Sequence, residues 1–314
     1  MNKFYLQIGE SGERINIDVY PPQLANREGV LGNRPRPAIL VACGGSGKDP
    51  AVGKSLIGKL AASYHDLGES FSLAGFWTII PSRRGDPQRT VEGSSNLAAN
   101  FSKRLPRQLF ADEGPNQGSY SHRKHVAELR WLVENLSENF GPDLDSSRIG
   151  VLGDSAGGGV ALALSAELNA RVASVALWGG ALRASQWFTG HKADSFFQEI
   201  LDASAVRYDR ETFLLELCDA VDFVDKVAAP MMFGCAVPDP YALVPSKPDK
   251  WSSIGEQIEL MRCAIRSRYG KVLGVKGAEH TMYREHPAWP PYISALTAWF
   301  EETLLSNEQT KGIP

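Results

Sequence analysis

Three residues of this chain have the types and placement to break a carbonyl bond together: a serine in a glycine-rich turn, a histidine after a late apolar run, and an acid between them. Ser155 stands in Gly153-Asp154-Ser155-Ala156-Gly157. The run before it, Ile149 to Leu152, has the length of a buried strand. The stretch after it, Val160 to Leu168, is rich in Ala and Leu, which favour helix. Strand, G-x-S-x-G, helix is the setting of a nucleophile elbow, in which small flanking residues let a tight turn lift the serine Oγ clear of a sheet. Glycine-rich turns of this kind also cradle phosphates. Here no Lys-Ser/Thr follows the glycines and no G-x-G-x-x-G opens the helix.

A serine hydroxyl needs a base within hydrogen-bond reach, and the base needs an orienting group. Histidine is the usual base because its pKa lies near operating pH. Of His65, His122, His125, His191, His280 and His286, only His280 follows a predicted core strand, Lys271 to Val275, through a short glycine-bearing loop. Loops at the carboxyl ends of parallel strands are where sites form in open α/β sheets. His286, beside Pro287, is expected at the surface, and His122 and His125, which open a helix, in solvent. A serine–acid–histidine order points to the loop after the Met231 to Phe233 strand, where Asp239 is the sole acid in Gly234 to Tyr241. Asp239 could equally be a turn residue in Val-Pro-Asp-Pro. Asp219, Asp222 and Asp225 precede that strand and belong at its other end. Glu279 adjoins the base, but its side chain should point away. An acyl-transfer site also needs two N–H donors for the developing oxyanion. Ala156, next after the serine, supplies one. Gly44, Gly45 and Ser46, after the Ala38 to Ala42 strand, are candidates for the other, unless they form a plain glycine-rich turn.

The elements needed to position these residues alternate along the chain. Phe4 to Ile8 and Arg14 to Tyr20 read as an antiparallel hairpin. Strands are expected at Ala38–Ala42, Gly75–Ile80, Ile149–Leu152, Val172–Trp178, Pro230–Gly234 and Lys271–Val275. Helices are expected over Val52–Leu67, His122–Leu136, Val160–Leu168, Ile254–Tyr269 and Pro291–Leu305. This pattern predicts an α/β fold: a mainly parallel twisted sheet of about eight strands with helices on both faces. The connection from Pro81 to Ser121 is far longer than ordinary. Residues 181–226, with helical patterning and no strand alternation, read as a helical cap inserted into a single domain spanning 1–314.

The 314 residues, 43% hydrophobic and 22% charged with a net charge of −3, are enough for one large core and point to neither nucleic acid nor an anionic membrane. No apolar run approaches a membrane span, and the N-terminus has no signal-peptide pattern. Four scattered cysteines without a C-x-x-C are expected to be reduced thiols in a cytoplasmic protein. The His/Cys spacing suggests no zinc site, and no cofactor is expected.

From roughly Ala38 to Leu305 the chain resembles an α/β-hydrolase. Its Gly153-Asp154-Ser155-Ala156-Gly157-Gly158 elbow is similar to that of carboxylesterase and hormone-sensitive-lipase-like members. The N-terminal hairpin and Pro81-Ser82-Arg83-Arg84-Gly85 are more similar to dienelactone-hydrolase and prolyl-oligopeptidase-like members. The resemblance implies Ser155 as nucleophile, Asp239 as acid and His280 as base. The esterase His-Gly-Gly-Gly motif is absent, and Cys43 stands where its histidine would be.

The expected activity is hydrolysis of a carboxylic ester or thioester through an acyl-enzyme on Ser155. A peptidase, amidase or acyltransferase with the same triad, or a catalytically silent binding protein, are the competing classes. Arg83 and Arg84 could meet a substrate carboxylate or simply be solvated. Trp187 and Phe188 could roof an acyl group or form the insertion's own small core. The expected partners are a small-molecule acyl substrate and at most a second copy of the chain, with no nucleic acid and no membrane.

Overall fold

Apolar runs that are continuous rather than alternating need both faces covered, and in the computed structural model they line the middle of one eight-stranded sheet. The structure describes residues 2–8, 13–23, 34–44, 57–81, 122–180, 183, 185, 214–215, 217–237, 252–267, 269–280 and 282–305. The strands are β1 (Asn2–Ile8), β2 (Glu13–Tyr20), β3 (Arg36–Ala42), β4 (Trp77–Pro81), β5 (Leu144–Asp154), β6 (Val172–Trp178), β7 (Met231–Val237) and β8 (Gly270–Lys276). Their spatial order is β1-β2-β4-β3-β5-β6-β7-β8. The hairpin β1–β2 joins antiparallel to β4, and from β4 to β8 every neighbour is parallel. The predicted sheet is therefore observed, with β5 at its centre.

Among the described residues six helices cover it: α1 (Ile57–Leu73), α2 (His122–Glu134), α3 (Leu136–Phe140), α4 (Gly157–Leu168), α5 (Ser252–Cys263) and α6 (Trp289–Phe300), the last running into a π turn over Glu301–Leu305. Alternate residues of β3 show how the two layers divide. Ala38, Leu40 and Ala42 belong to the layer that also holds Leu129 of α2, Leu164 of α4 and Leu260 of α5. Ile39 and Val41 pack with α1 and α6, against Phe71, Trp299 and Phe300. Strand period two thus feeds two separate cores, one per face.

The segment expected to be a cap carries a correction at its exit. Leu217, Cys218, Ala220 and Val224 are buried, and the last three belong to the core layer beneath α4, so residues 217–226 pack with the sheet's core rather than above it. Two short 3-10 turns, Ala220–Asp222 and Val224–Lys226, lead from there into β7. Ser185 N–H and Oγ both donate to the Asp219 carboxylate, tying the segment's entrance to its exit. Residues 186–213 of the segment lie outside the described residues.

The exit also touches α4 closely. A Cβ added at Gly159 would lie 1.9 Å from the Cys218 carbonyl oxygen. Backbone cannot yield that far cheaply, so Gly159→Ala should lower unfolding free energy by about 3 kcal/mol or more in urea titration. Gly255→Ala, in exposed helix with nothing within 4 Å of the added carbon, should change stability by no more than about 1 kcal/mol, toward stabilisation.

Candidate active site

Ser155 sits between the last residue of β5 and the first turn of α4. Its φ is +52°, in the left-handed region that a side chain rarely adopts. Such a conformation costs about 1–3 kcal/mol and persists only where its surroundings hold it. Here Ser155 N–H donates to Trp178 O on β6 at 2.8 Å, and Gly158 N–H donates back to Ser155 O at 2.9 Å. Gly157 permits the turn to lie against β3, since a Cβ there would come within 2.0 Å of Ala42 O.

His280 follows β8 through a turn in which Gly277 has φ +73°. Its Nε2 lies 2.7 Å from Ser155 Oγ, the hydrogen-bond distance that a serine nucleophile would need to its base. The imidazole is buried, and Trp178 Nε1–H donates to the His280 carbonyl at 2.9 Å. Farther along the loop, Arg284 N–H donates to Asp66 Oδ2 on α1 at 2.9 Å, and its guanidinium reaches Glu69. The ends of β7 and β8 are in register at Val237 and Lys276, and Gly277 N–H donates to Val237 O. The two segments that carry Asp239 and His280 therefore leave the sheet side by side.

On the other side of the elbow the structure corrects one expectation. Gly44 N–H is not available to an oxyanion: it donates to Tyr64 Oη at 2.7 Å, and Tyr64 in turn donates to Asp154 Oδ2 at 2.8 Å. What Gly44 provides is proximity. A Cβ there would meet Asp154 O at 2.8 Å and Ser155 Cβ at 2.9 Å, so only glycine lets the β3 loop lie against the elbow. Burial, and then the Asp154 charge, push the Tyr64 hydroxyl well above its ordinary range. Tyr292, behind the elbow on α6, is pushed up by the same two causes in the same order. Tyr20 is pushed up by burial and then by Asp18, Glu69 and Asp66.

His122 and His125 are not solvated. Both are buried, His122 Nδ1 accepting Cys218 N–H and His125 Nδ1 lying 3.3 Å from Glu128 Oε2. His122 ties the start of α2 to the exit of the inserted segment, and the His125–Glu128 contact lies within α2. Nor does His286 decorate the surface: its side chain is 11% exposed, it accepts Ala288 N–H, and its Nε2 lies 3.7 Å from Glu279 Oε1. That contact also draws the Glu279 carboxylate to His286. Asp239, Gly45, Ser46, Arg83, Arg84, Trp187 and Phe188 lie outside the described residues. Tyr64, Asp154 and Trp178 are the residues that sequence reasoning missed at this site. Asp154 stood inside the quoted motif, and Trp178 ends a predicted strand next to it in the sheet. Tyr64, in mid-helix, carried no signal. Among the described residues no group of three or more His, Cys, Asp or Glu side chains could hold a metal, and no helix is long and apolar enough to cross a membrane. All four cysteines are free thiols.

Residues 120–232, from α2 through the elbow to β7, match a sequence family described as alpha/beta hydrolase fold. Among solved structures, a thermostable carboxyl esterase from Bacillus coagulans is similar over 96% of this chain and 98% of its own, with TM-score 0.61 and 13% identity. An acylaminoacyl peptidase from Pyrococcus horikoshii matches 96% of this chain, 42% of its own, with TM-score 0.60 and 12% identity. A dienelactone hydrolase from Anabaena variabilis matches 96% and 98%, with TM-score 0.53 and 14% identity. No curated protein matches the sequence. The sheet order and these likenesses define the class: the chain has the α/β-hydrolase fold, over nearly its whole length.

The three raised tyrosines set an alkaline limit. Each stays protonated in the native state while the unfolded chain ionises near pH 10, so the native state binds more protons above that pH and stability falls. The stabilisation is complete below about pH 10 and is lost as pH rises, at no more than about 1.4 kcal/mol per unit for each group. Tyr64→Phe should lower stability at pH 7 by about 1–3 kcal/mol, through the acceptor lost to Gly44 N–H and the donor lost to Asp154. It should also flatten the decline above pH 10, read by melts from pH 8 to 11.5.

Proposed function

We propose that this protein is a serine hydrolase that cleaves a carboxylic ester or thioester through an acyl-enzyme. The observation that carries the reading is the 2.7 Å contact of His280 Nε2 with the Oγ of a serine held at φ +52°. A left-handed serine between a central strand and a helix, with imidazole on its hydroxyl, is strain arranged for chemistry.

In this reading His280 takes the Ser155 proton as Oγ bonds to the substrate carbonyl carbon. The carbonyl π electrons move to oxygen, and the resulting oxyanion is held by Ala156 N–H at the start of α4. Because Gly44 N–H is committed to Tyr64, the second donor is Gly45 or Ser46. His280 then protonates the leaving oxygen or sulfur as the tetrahedral adduct collapses. Water, deprotonated by the same imidazole, releases the acid and restores the serine. Asp239, two residues beyond the end of β7, is the acid assigned to His280 Nδ1. The adjacent exits of β7 and β8 support it.

Ester cleavage is preferred over amide cleavage by the expectation from the elbow residues, and a substrate panel decides between them. p-Nitrophenyl esters of two to eight carbons should turn over, and aminoacyl anilides should not; the reverse would assign a peptidase. Ser155→Ala should cost about 10⁴-fold or more in kcat and abolish labelling by a fluorophosphonate, with the melting temperature kept. Activity within a few-fold of wild type would remove the serine mechanism.

Asp239→Asn should lower turnover by roughly 10³- to 10⁴-fold with little change in stability, as expected when the histidine tautomer is lost. Asp222→Asn and Asp225→Asn, in the 3-10 turns before β7, should stay near wild type. A stopped reaction in Asp222→Asn with a working Asp239→Asn would reassign the acid.

A further inference from the structure

We infer that Trp178 is a positioning residue that holds the nucleophile and the base to one another; this rests on the serine-hydrolase reading above. Trp178 ends β6 and is fully buried. In the sheet it lies in register with Asp154, the residue before the nucleophile, on one side and with Gly234 on the other. Its main-chain carbonyl accepts Ser155 N–H at 2.8 Å. Its indole Nε1–H donates to the His280 carbonyl at 2.9 Å. A single residue therefore bonds the backbone of both members of the Ser155–His280 pair.

The route of the indole explains why the residue is large and why its neighbour is small. His280 follows β8, two strands away from β6 across β7. The indole crosses over Gly234, where an added Cβ would lie 2.9 Å from Trp178 Cε3. Tyr292 of α6 packs edge-on against the indole with ring centroids 4.5 Å apart. Sandwiched this way, the ring has one orientation and its single donor one target. Phenylalanine could fill most of the same space but has no N–H to give.

The consequence for the reaction is geometric. His280 Nε2 must stay in line with Ser155 Oγ while a proton moves out to the serine's base and back to the leaving group. The Arg284–Asp66 contact fixes the loop four residues downstream, and the Gly277 N–H to Val237 O bond fixes it three residues upstream. Between them the indole donor pins the main chain of the base itself. Without it the imidazole would remain in the pocket but sample misaligned positions, which lowers the chemical step and leaves ground-state binding nearly unchanged.

The test replaces Trp178 with benzothienylalanine at this one site, an isostere with sulfur where indole has N–H, alongside Trp178→Phe. Both are assayed with a p-nitrophenyl ester for kcat and KM, with the pH dependence of kcat/KM, and with a fluorophosphonate for labelling rate. The expected result for the isostere is a kcat lower by about 10- to 100-fold, KM within about twofold, and slower labelling in proportion. The melting temperature should stay within a few degrees, since the packing is kept. The acid limb of the pH profile should move to lower pH, as a less well oriented imidazolium is less stabilised. Trp178→Phe should show the same kinetic pattern with an additional loss of stability. An isostere that turns over within twofold of wild type, while the wild type labels at Ser155, would overturn the role of Trp178 alone. A wild type that does not label would overturn the serine reading and this inference with it.

Discussion

The steric crowding at the elbow is the constraint on which the rest of this molecule depends. Ser155 is driven to φ +52°, and two chain segments, Ala42–Gly44 and the stretch around Cys218, press on the turn that holds it there and on the helix that follows. Gly44 of the β3 loop lies against Asp154 and Ser155, Gly157 lies against Ala42, and Gly159 lies against Cys218. At each point an added methyl carbon would stand 2.9 Å or less from its nearest neighbour. The strain of one residue is thus offset by packing on all sides, which is how a left-handed serine survives in a marginally stable chain. The parallel sheet supplies the frame: β3 and β6 flank β5, so their carboxyl ends deliver the loops that press on the turn.

Charge is arranged around the same point. Asp154 is buried beside the nucleophile, and the hydroxyl of Tyr64 donates to it while accepting the amide of Gly44. A buried carboxylate needs donors to be tolerated, and this one draws its donor from α1, on the far side of the β3 loop. The tyrosine therefore does two jobs with one oxygen. It stabilises the Asp154 charge, and it turns the Gly44 amide away from the space above Ser155.

Much of the fold was legible because it depends on patterns that need no tertiary information. Apolar runs of strand length and a helix-favouring stretch after G-x-S-x-G predicted the sheet and the elbow, and β6 falls on Val172–Trp178 as read. The two residues that meet at 2.7 Å, Ser155 and His280, were readable from a motif and from position after a strand. What escaped the reading depends on who neighbours whom. The partner of Gly44 N–H is a tyrosine twenty residues on, in the middle of a helix. His122 is met by the backbone of Cys218, 96 residues later. Helix α1 runs on past the expected Leu67 to Leu73, and Gly68 within it lets the Tyr20 ring lie close, where an added Cβ would stand 2.4 Å from it. In each case a local rule was overridden by a contact across the fold.

The contacts that set the site also explain how little sequence it needs. Ser155 N–H is held by a carbonyl, Ser155 O by an amide, His280 by its own carbonyl, and the β7–β8 exits by a carbonyl and an amide. Main-chain atoms are the same in every residue, so most positions around these bonds can change freely while the geometry stays. Side-chain identity is demanded only where a Cβ has no room, where the serine and histidine themselves stand, and where the Trp178 indole must span β7. A chain built this way can keep an α/β-hydrolase sheet at 12–14% identity to the solved structures it resembles. The inserted segment is tied down by contacts of its own. The Asp219–Ser185 bonds hold that segment closed at its neck, and its exit packs on the helix that begins at the nucleophile.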